Sequence, residues 1–287
     1  MRLPQIGTAA LLLLAACAGG RGAGDTAHLD AMSREHAGHT PEANASVQEP
    51  RQAVTGEDVT YGTVGGKPAR GYLVRPASAR PGESLPAILM IHEWWGLNDN
   101  VRMMARRWAG EGYQVLAVDM YGGRVAANPD EAREYMGEVL DNTQIGVDHM
   151  AAAASYVKTT GRASRVGVMG WCFGGGWALQ AALFQPEHTD AAVMYYGRVE
   201  TDRARLARLD APLLGIFGSE DRGIPVDSVR KMEATLRELG KDVTVQVYAG
   251  ADHGFANPSG EAYDAEDAGD AWRRATAFFA RHLKESR

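Results

Sequence analysis

The sequence has little of several features that mark particular protein classes. Its 287 residues include only two cysteines, Cys17 and Cys172, whose contexts differ too much for a disulfide framework, and no paired cysteines typical of zinc sites. It has no basic excess either. A formal net charge of -6 argues against a nucleic-acid binder, which needs clustered lysine and arginine to neutralise phosphates. The composition, 45% hydrophobic and 23% charged, is that of a globular protein with enough apolar residues for one large core.

The N-terminal apolar run, over residues 9–16, follows a basic start at Arg2. It is too short for a permanent membrane-spanning helix and is typical of a signal peptide over residues 1–17. The Leu-Ala-Ala-Cys sequence that ends at Cys17 resembles the lipobox of bacterial lipoproteins. That resemblance implies lipidation of Cys17 and an exported, membrane-anchored protein that faces the periplasm or the cell exterior. The alternative is an ordinary cleaved signal peptide with an incidental cysteine.

Residues 18–52 are rich in Ala, Gly, Glu and His and show no sustained apolar periodicity. This composition predicts a flexible tether between the anchor and the rest of the chain. Three histidines lie here, His28, His36 and His39. They are compatible with a metal-binding tract, but scattered histidines in a spacer are more often solvated. We therefore expect no metal site.

From residue 53 to residue 287, short apolar runs alternate with helical patterns. A leading hairpin is followed by strand patterns in "LPAILMIHE", "YQVLAVDMYG", "RVGVMGWC", "DAAVMYYG", "APLLGIFGSED" and "VTVQVYAG". The first of these is a continuous apolar run, which is typical of a strand buried on both faces. Amphipathic helical segments separate these runs, among them "NVRMMARRWAGEG" and "PVDSVRKMEATLRELG". The alternation predicts one α/β domain, in which a mostly parallel sheet carries helices on both faces. Ligand chemistry in such sheets gathers at the carboxyl ends of the strands.

Cys172 lies between a predicted strand and a predicted helix, in the pattern G-x-C-x-G formed with Gly170 and Gly174. This is the pattern of a nucleophile elbow with cysteine in place of serine. The central residue occupies a strained turn, so the residues two before and two after it must lack side chains. A cysteine at a helix N-terminus is favoured as a thiolate. The alternative is that Cys172 is a small buried hydrophobic residue.

Asp221 and His253 each follow a later predicted strand, in "GSEDRGIP" and "ADHGF". Taken alone, Asp221 is compatible with a turn residue and His253 with an ordinary loop residue. The order nucleophile, acid, histidine is the chain order of the α/β-hydrolase triad. Since all three residues lie at strand ends, the pattern favours a Cys-His-Asp catalytic triad.

The sequence resembles the dienelactone hydrolase family, also called carboxymethylenebutenolidase, of the α/β-hydrolase superfamily. The segments that carry the resemblance are "IHEWWGLNDNVR", "YQVLAVDMYGG", "GVMGWCFGGGWAL", "GIFGSEDRGIP" and "YAGADHGF". The resemblance covers nearly all of the chain after the tether. It implies that Cys172 is the nucleophile, His253 the base and Asp221 the acid that orients the histidine.

Glu93 follows a buried-strand pattern and precedes two tryptophans. A carboxylate in such a setting must be paired or have a shifted pKa, and a structural ion pair with an arginine is one interpretation. The resemblance implies another: Glu93 contacts the resting thiol and, when substrate displaces it, helps to create the thiolate. The same loop is expected to supply the Trp94 backbone N–H to an oxyanion hole, together with that of Phe173.

The substrate-binding residues are the part of the site that matches the family least. The resemblance implies that two arginines bind the carboxylate of a dienelactone substrate. Tyr121 and Arg124 in "DMYGGR" match one of these positions, although Arg124 is equally compatible with a surface charge. Asn257 stands where the second arginine is expected, and it cannot form a charged bidentate contact. We therefore expect a weakened preference for anionic lactones relative to neutral esters.

Aromatic residues cluster around the motifs, and some of them are expected to line an apolar pocket, with Trp95, Trp171 and Phe255 as candidates.

Together these features predict a monomeric hydrolase that cleaves small-molecule carboxylic ester or lactone bonds through an acyl-cysteine intermediate. No cofactor or metal is required. Two other classes stay open: a non-catalytic ligand-binding protein with the same fold, and a redox-active thiol protein, although no resolving cysteine lies near Cys172.

Overall fold

The computed structural model describes residues 23–37 and 49–285. Residues 49–285 contain one eight-stranded sheet in the order β1-β2-β4-β3-β5-β6-β7-β8. Its strands are β1 (Val54–Val64), β2 (Lys67–Pro76), β3 (Ala87–Ile91), β4 (Gln114–Val118), β5 (Val166–Trp171), β6 (Ala191–Tyr195), β7 (Leu213–Gly218) and β8 (Val243–Tyr248). The first two strands form an antiparallel hairpin, and β2 pairs antiparallel with β4. The neighbours from β4 to β8 pair in parallel.

The five central strands are apolar along their whole length because helices cover both faces of the sheet. Every residue of β3, β4, β5, β6 and β7 is buried. At the sheet edge, β8 is partly exposed. Continuous burial is what a parallel sheet with two covered faces requires. The predicted α/β-hydrolase fold, with its mostly parallel sheet, is confirmed.

The helices follow the strands along the chain, as the pattern of apolar residues predicts. They are α1 (Ala23–Glu35), α2 (Asp99–Gly110), α3 (Pro129–Asp141), α4 (Thr143–Thr159), α5 (Phe173–Phe184), α6 (Arg203–Leu206), α7 (Val226–Glu238) and α8 (Ala265–Phe279). Helix α2 begins where the Asn98 side chain accepts the Val101 N–H, and the chain turns at Gly112 with φ +92°. The stretch over residues 129–159 consists of two helices, α3 and α4, because Asn142 interrupts it with φ -136°.

Helix α1 differs from the flexible tether that the composition predicts for residues 18–52. Leu29 and Met32 on this helix are completely buried against the domain. Burying such side chains contributes about 1.5–3 kcal/mol each, which favours docking of the helix. The predicted signal peptide with the lipidation site Cys17, and His39, lie outside the described residues.

Within residues 23–37 and 49–285, no helix is long and apolar enough to cross a bilayer.

Candidate active site

The turn between β5 and α5 holds Cys172 in a conformation that side-chain-bearing residues rarely adopt, with φ +54°. Its flanking glycines are required by packing. A Cβ atom on Gly170 would lie 2.4 Å from the backbone of Gly174, and one on Gly174 would lie 2.2 Å from the Ile91 carbonyl oxygen. Cys172 itself is buried, at the N-terminus of α5. The local geometry is therefore that of a nucleophile elbow, in which strain at one residue fixes the direction of its side chain.

Asp221 and His253 lie on the loops after β7 and β8 and form a buried pair. The His253 Nδ1 and an Asp221 carboxylate oxygen are 2.7 Å apart, and the two side chains are 1% and 0% exposed. The second Asp221 oxygen accepts the Ile224 N–H at 2.8 Å, which fixes the carboxylate. This arrangement holds the imidazole in one orientation, with Nδ1 toward the acid and Nε2 available for the nucleophile.

The charge state of His253 follows from its neighbours. Burial alone lowers the pKa of an imidazole, but the charge of Asp221 and the adjacent Cys172 outweigh it, and the pKa of His253 lies well above its usual value. A base whose cationic form is stabilised in this way holds a proton readily beside the thiol. The three residues of the predicted triad thus lie together at the carboxyl edge of the sheet.

Glu93 is buried beside the triad and is held by Asn257. Burial raises the pKa of Glu93 to about 7, although the charge of His253 and a hydrogen bond from Asn257 both act to lower it. The Asn257 Nδ2 donates to a Glu93 carboxylate oxygen at 2.5 Å. The Asn257 Oδ1 in turn accepts from Asn100 at 3.1 Å and from the Ser259 hydroxyl at 2.7 Å. An ion pair with an arginine, one interpretation of the sequence, is therefore not how Glu93 is held.

His92 fixes the loop that carries Glu93 and Trp94. Its Nε2 accepts the Met120 N–H at 3.2 Å, so its Nδ1 carries the proton and donates to the Glu93 carbonyl oxygen at 2.5 Å. Burial lowers the pKa of His92, which favours this neutral form. No role for His92 was predicted from the sequence. Its position at the end of β3, directly before Glu93, was the available signal.

A cavity of about 360 Å³ opens above the thiol. Trp94, Trp95 and Asn257, which the sequence places near substrate, line it together with Glu93, Cys172 and His253. The rest of its wall comes from the loop after β8 and from the end of α1: Glu35, His36, Asp252, Gly254, Ser259, Gly260, Glu261 and Ala262.

Tyr121 and Arg124, the expected anion-binding pair, do not line this cavity. The Arg124 guanidinium binds Glu138 in a bidentate ion pair, with distances of 2.9 and 2.5 Å, and stacks 4.1 Å from the Tyr135 ring. Tyr121 packs its ring 4.5 Å from that of His92. Arg124 thus has an acidic partner in place of a substrate carboxylate.

Trp171 and Phe255 are the two aromatic candidates that lie off the main cavity. Trp171 lines smaller neighbouring cavities with Ala256 and Pro258, and its ring lies 5.6 Å from that of Tyr195. Phe255 is completely buried and packs 5.1 Å from Tyr248, so its surroundings are those of a core residue.

His36 at the end of α1 enters the site, which the sequence analysis did not anticipate. Its ring lies 4.7 Å from that of Trp94 and 5.5 Å from that of His253. Together with the buried Leu29 and Met32, His36 completes an i, i+3, i+7 spacing that is typical of one helix face. That short spacing was the signal in the sequence.

His36, Cys172 and His253 together offer ligand atoms to a metal ion. A nitrogen of His36, the Cys172 sulfur and a nitrogen of His253 all lie within 4.8 Å of one another. Thiolate and imidazole ligands suit Zn²⁺. In such sites a ligating histidine usually donates its other ring N–H to a carboxylate. These three donors therefore fit a thiophilic divalent cation. A bound cation would occupy the Cys172 sulfur, which could then not act as a nucleophile.

Comparison with known proteins agrees with this geometry. A sequence profile of the dienelactone hydrolase family matches residues 69–283. A protein of Aquifex aeolicus, named provisionally as a carboxymethylenebutenolidase, is 33% identical over 226 residues, which cover 76% of this chain and 96% of the relative. A protein of Escherichia coli K12 with the same provisional name is 28% identical over 261 residues, which cover 85% and 93%.

A solved structure supports the same conclusion. The crystal structure of a provisionally assigned dienelactone hydrolase from Klebsiella pneumoniae superposes with a TM-score of 0.71 at 28% identity, over 80% of this chain and all of that one. The chain belongs to the dienelactone hydrolase family, and it is a hydrolase of ester or lactone bonds with the α/β-hydrolase fold.

Proposed function

We propose that the protein hydrolyses small carboxylic esters or lactones through a Cys172-His253-Asp221 triad and an acyl-cysteine intermediate. The observation that carries this proposal is the buried Asp221–His253 pair beside a cysteine on a strained elbow. In the proposed mechanism each group has one role: Cys172 is the nucleophile, His253 is the base next to it, and Asp221 is the acid that orients the base.

In the acylation half of this mechanism, the Cys172 sulfur attacks the substrate carbonyl carbon while His253 holds the thiol proton. The backbone N–H groups of Trp94 and Phe173 stabilise the oxyanion that forms, since Phe173 begins α5 and its N–H has no partner within the helix. Collapse of the tetrahedral intermediate breaks the carbon–oxygen bond. The leaving oxygen takes the proton from His253.

In deacylation, water replaces the leaving group. The water oxygen attacks the thioester carbonyl carbon while His253 takes a proton from the water, and the carbon–sulfur bond then breaks. The proton then returns to the Cys172 sulfur, and the carboxylic acid departs. Both halves use the same oxyanion hole and the same histidine.

Glu93 acts in this scheme as a switch at the thiol. Its raised pKa, about 7, allows the carboxyl group to gain or lose a proton near neutral pH. Asn257 stabilises the ionised form and keeps the side chain at the edge of the catalytic cavity. Substrate that contacts this edge changes the environment of Glu93 in the cavity that Glu93 shares with Cys172.

The test is a screen of the detergent-solubilised full chain against esters, thioesters and lactones, with Cys172→Ala as the control variant. We expect hydrolysis by the native chain alone, and rapid quench followed by mass spectrometry should find the acyl group on the peptide that contains Cys172. Full esterase activity in Cys172→Ala would exclude the mechanism.

We further propose that the protein is exported and anchored by lipid on Cys17, on the basis of the Leu-Ala-Ala-Cys sequence after the apolar run. Two or more acyl chains are needed for a stable anchor. Metabolic labelling with a fatty acid and membrane fractionation test this in the native chain and in Cys17→Ser. Equal labelling of both chains would contradict it.

A further inference from the structure

Helix α1 is fastened to the domain by both apolar and ionic contacts. Met32 and Leu29 are fully buried beneath it. On its flanks, Asp30 pairs with Arg133 of α3 at 2.5 Å, and Asp25 pairs with Arg198 after β6. Contacts on three sides hold the helix in one position.

The C-terminal end of α1 forms one wall of the catalytic cavity. Glu35 and His36 both line it, together with residues of the loop after β8. The His36 ring stacks against Trp94, which lies next to Glu93. This wall precedes residues 69–283, the segment that matches the dienelactone hydrolase family.

The cavity is acidic. Glu35, Glu93, Asp252 and Glu261 line it, whereas none of the described lining residues is a lysine or an arginine. Burial raises the pKa of Glu35, and the negative charge of Asp252 raises it further. Among the described lining residues, His36 and His253 are the two that can carry positive charge, and His253 is already paired with Asp221.

We propose that α1 is a substrate-facing wall of the active site and that Glu35 on it selects neutral and cationic acyl substrates against anionic ones. The proposal rests on the proposed hydrolytic function. Its physical basis is that a carboxylate substrate entering this cavity meets the acidic groups of Glu35, Asp252 and Glu261, and no lysine or arginine among the described lining residues offsets their charge. Neutral esters escape the repulsion, and a substrate cation is attracted.

The first test compares kcat/KM for three esters of matched size that carry a carboxylate, no charge or a trimethylammonium group. The native full chain should prefer the neutral and cationic esters, and Glu35→Lys should shift the preference toward the carboxylate ester by about tenfold, as expected for reversing one charge within roughly 8 Å. Glu57→Lys, the same charge change on exposed β1, serves as the matched control and should shift nothing. Equal shifts in both variants, or a native preference for the carboxylate, would overturn the proposal.

The second test does not depend on hydrolysis. The Cys172 thiol is alkylated with neutral iodoacetamide or anionic iodoacetate, and the rates are measured by mass spectrometry of the peptide that contains it. Glu35→Lys should raise the iodoacetate rate relative to the iodoacetamide rate by several fold, and Glu57→Lys should not. Met32→Asp, which places a charge under α1, should speed alkylation by iodoacetamide because the wall is displaced.

The two tests separate the two proposals. If esters are not hydrolysed through Cys172 but the alkylation ratio still responds to Glu35→Lys, the hydrolytic mechanism fails and the acidic wall stands. If acylation of Cys172 is observed but neither the alkylation ratio nor the iodoacetamide rate changes in these variants, the wall is refuted alone.

Discussion

The buried carboxyl group of Glu93 should destabilise the folded protein in a way that depends on pH. Glu93 is 6% exposed and has a pKa raised from 4.5 to about 7 by burial. The replacement Glu93→Gln keeps the shape and an acceptor for Asn257 but cannot ionise. The variant should therefore be more stable than the native chain at every pH at which ionisation of Glu93 destabilises the folded protein.

The sign and size follow from proton linkage. Below pH 4.5 the group is protonated in both the folded and the unfolded chain, so ionisation has no effect on stability. As pH rises toward 7, the unfolded chain loses its proton first, and the native protein loses stability relative to the variant. A shift from 4.5 to about 7 corresponds to about 3 kcal/mol above pH 7, most of which develops between pH 5 and pH 8.

The assay is urea unfolding of both chains at pH 5, 6, 7 and 8. Glu233→Gln is the matched control. Burial alone raises the pKa of Glu233, but its ion pairs with Arg237 and Arg230 outweigh it and hold the pKa below the ordinary value. Its contribution to stability is therefore present above pH 4.5 and lost only at lower pH, so the effect of its replacement should stay constant from pH 5 to 8. A pH-independent difference for Glu93→Gln would refute the argument.

Three further predictions concern the site. Cys172→Ala should abolish turnover and keep the fold, and Cys172→Ser should lose most activity because a hydroxyl is far less acidic than a thiol; steady-state kinetics and circular dichroism check both. His253→Ala should lower kcat by about 10⁶, whereas Asp221→Asn should cost less, about 10⁴, because the histidine remains and only its orientation suffers; equal losses would contradict these roles. Zn²⁺ should inhibit hydrolysis and EDTA should restore it, and His36→Ala should weaken the inhibition by about tenfold. Metal binding is measured by the visible absorption of the Co²⁺ form. Unchanged inhibition in His36→Ala would show that His36 is not a ligand.

The positions of the triad residues could be predicted from the sequence because local rules fix them. Gly170 and Gly174 are required by backbone packing around Cys172, so the pattern survives in the sequence as spacing. The strand before Asp221 is a continuous apolar run because both faces of the sheet are covered there, whereas the strand before His253 lies at the sheet edge and alternates apolar and polar residues. Parallel strands bring their carboxyl ends to one edge, and strand assignment alone therefore places the three residues together.

Contacts between distant segments could not be predicted in the same way. Arg124 lies where the family resemblance suggests an anion-binding residue, but its partner Glu138 is on α3, and no local pattern shows that pairing. Helix α1 was hidden for a different reason. It buries only a few side chains, among them Leu29 and Met32, so its apolar face is too narrow to stand out in a segment rich in Ala, Gly and charge.

The placement of Asn257 links the chemistry of the site to its selectivity. An arginine at this position would supply a cation both to Glu93 and to an anionic substrate. The amide instead gives Glu93 one neutral hydrogen bond, and its oxygen is already used by Asn100 and Ser259. The carboxyl group of Glu93 is consequently left with a pKa near 7, and the cavity is left without a fixed cation among its described lining residues. One substitution thus acts on the thiol switch and on substrate charge together. Restoring the cation with Asn257→Arg should therefore lower the pKa of Glu93 and increase the turnover of anionic esters in the same variant.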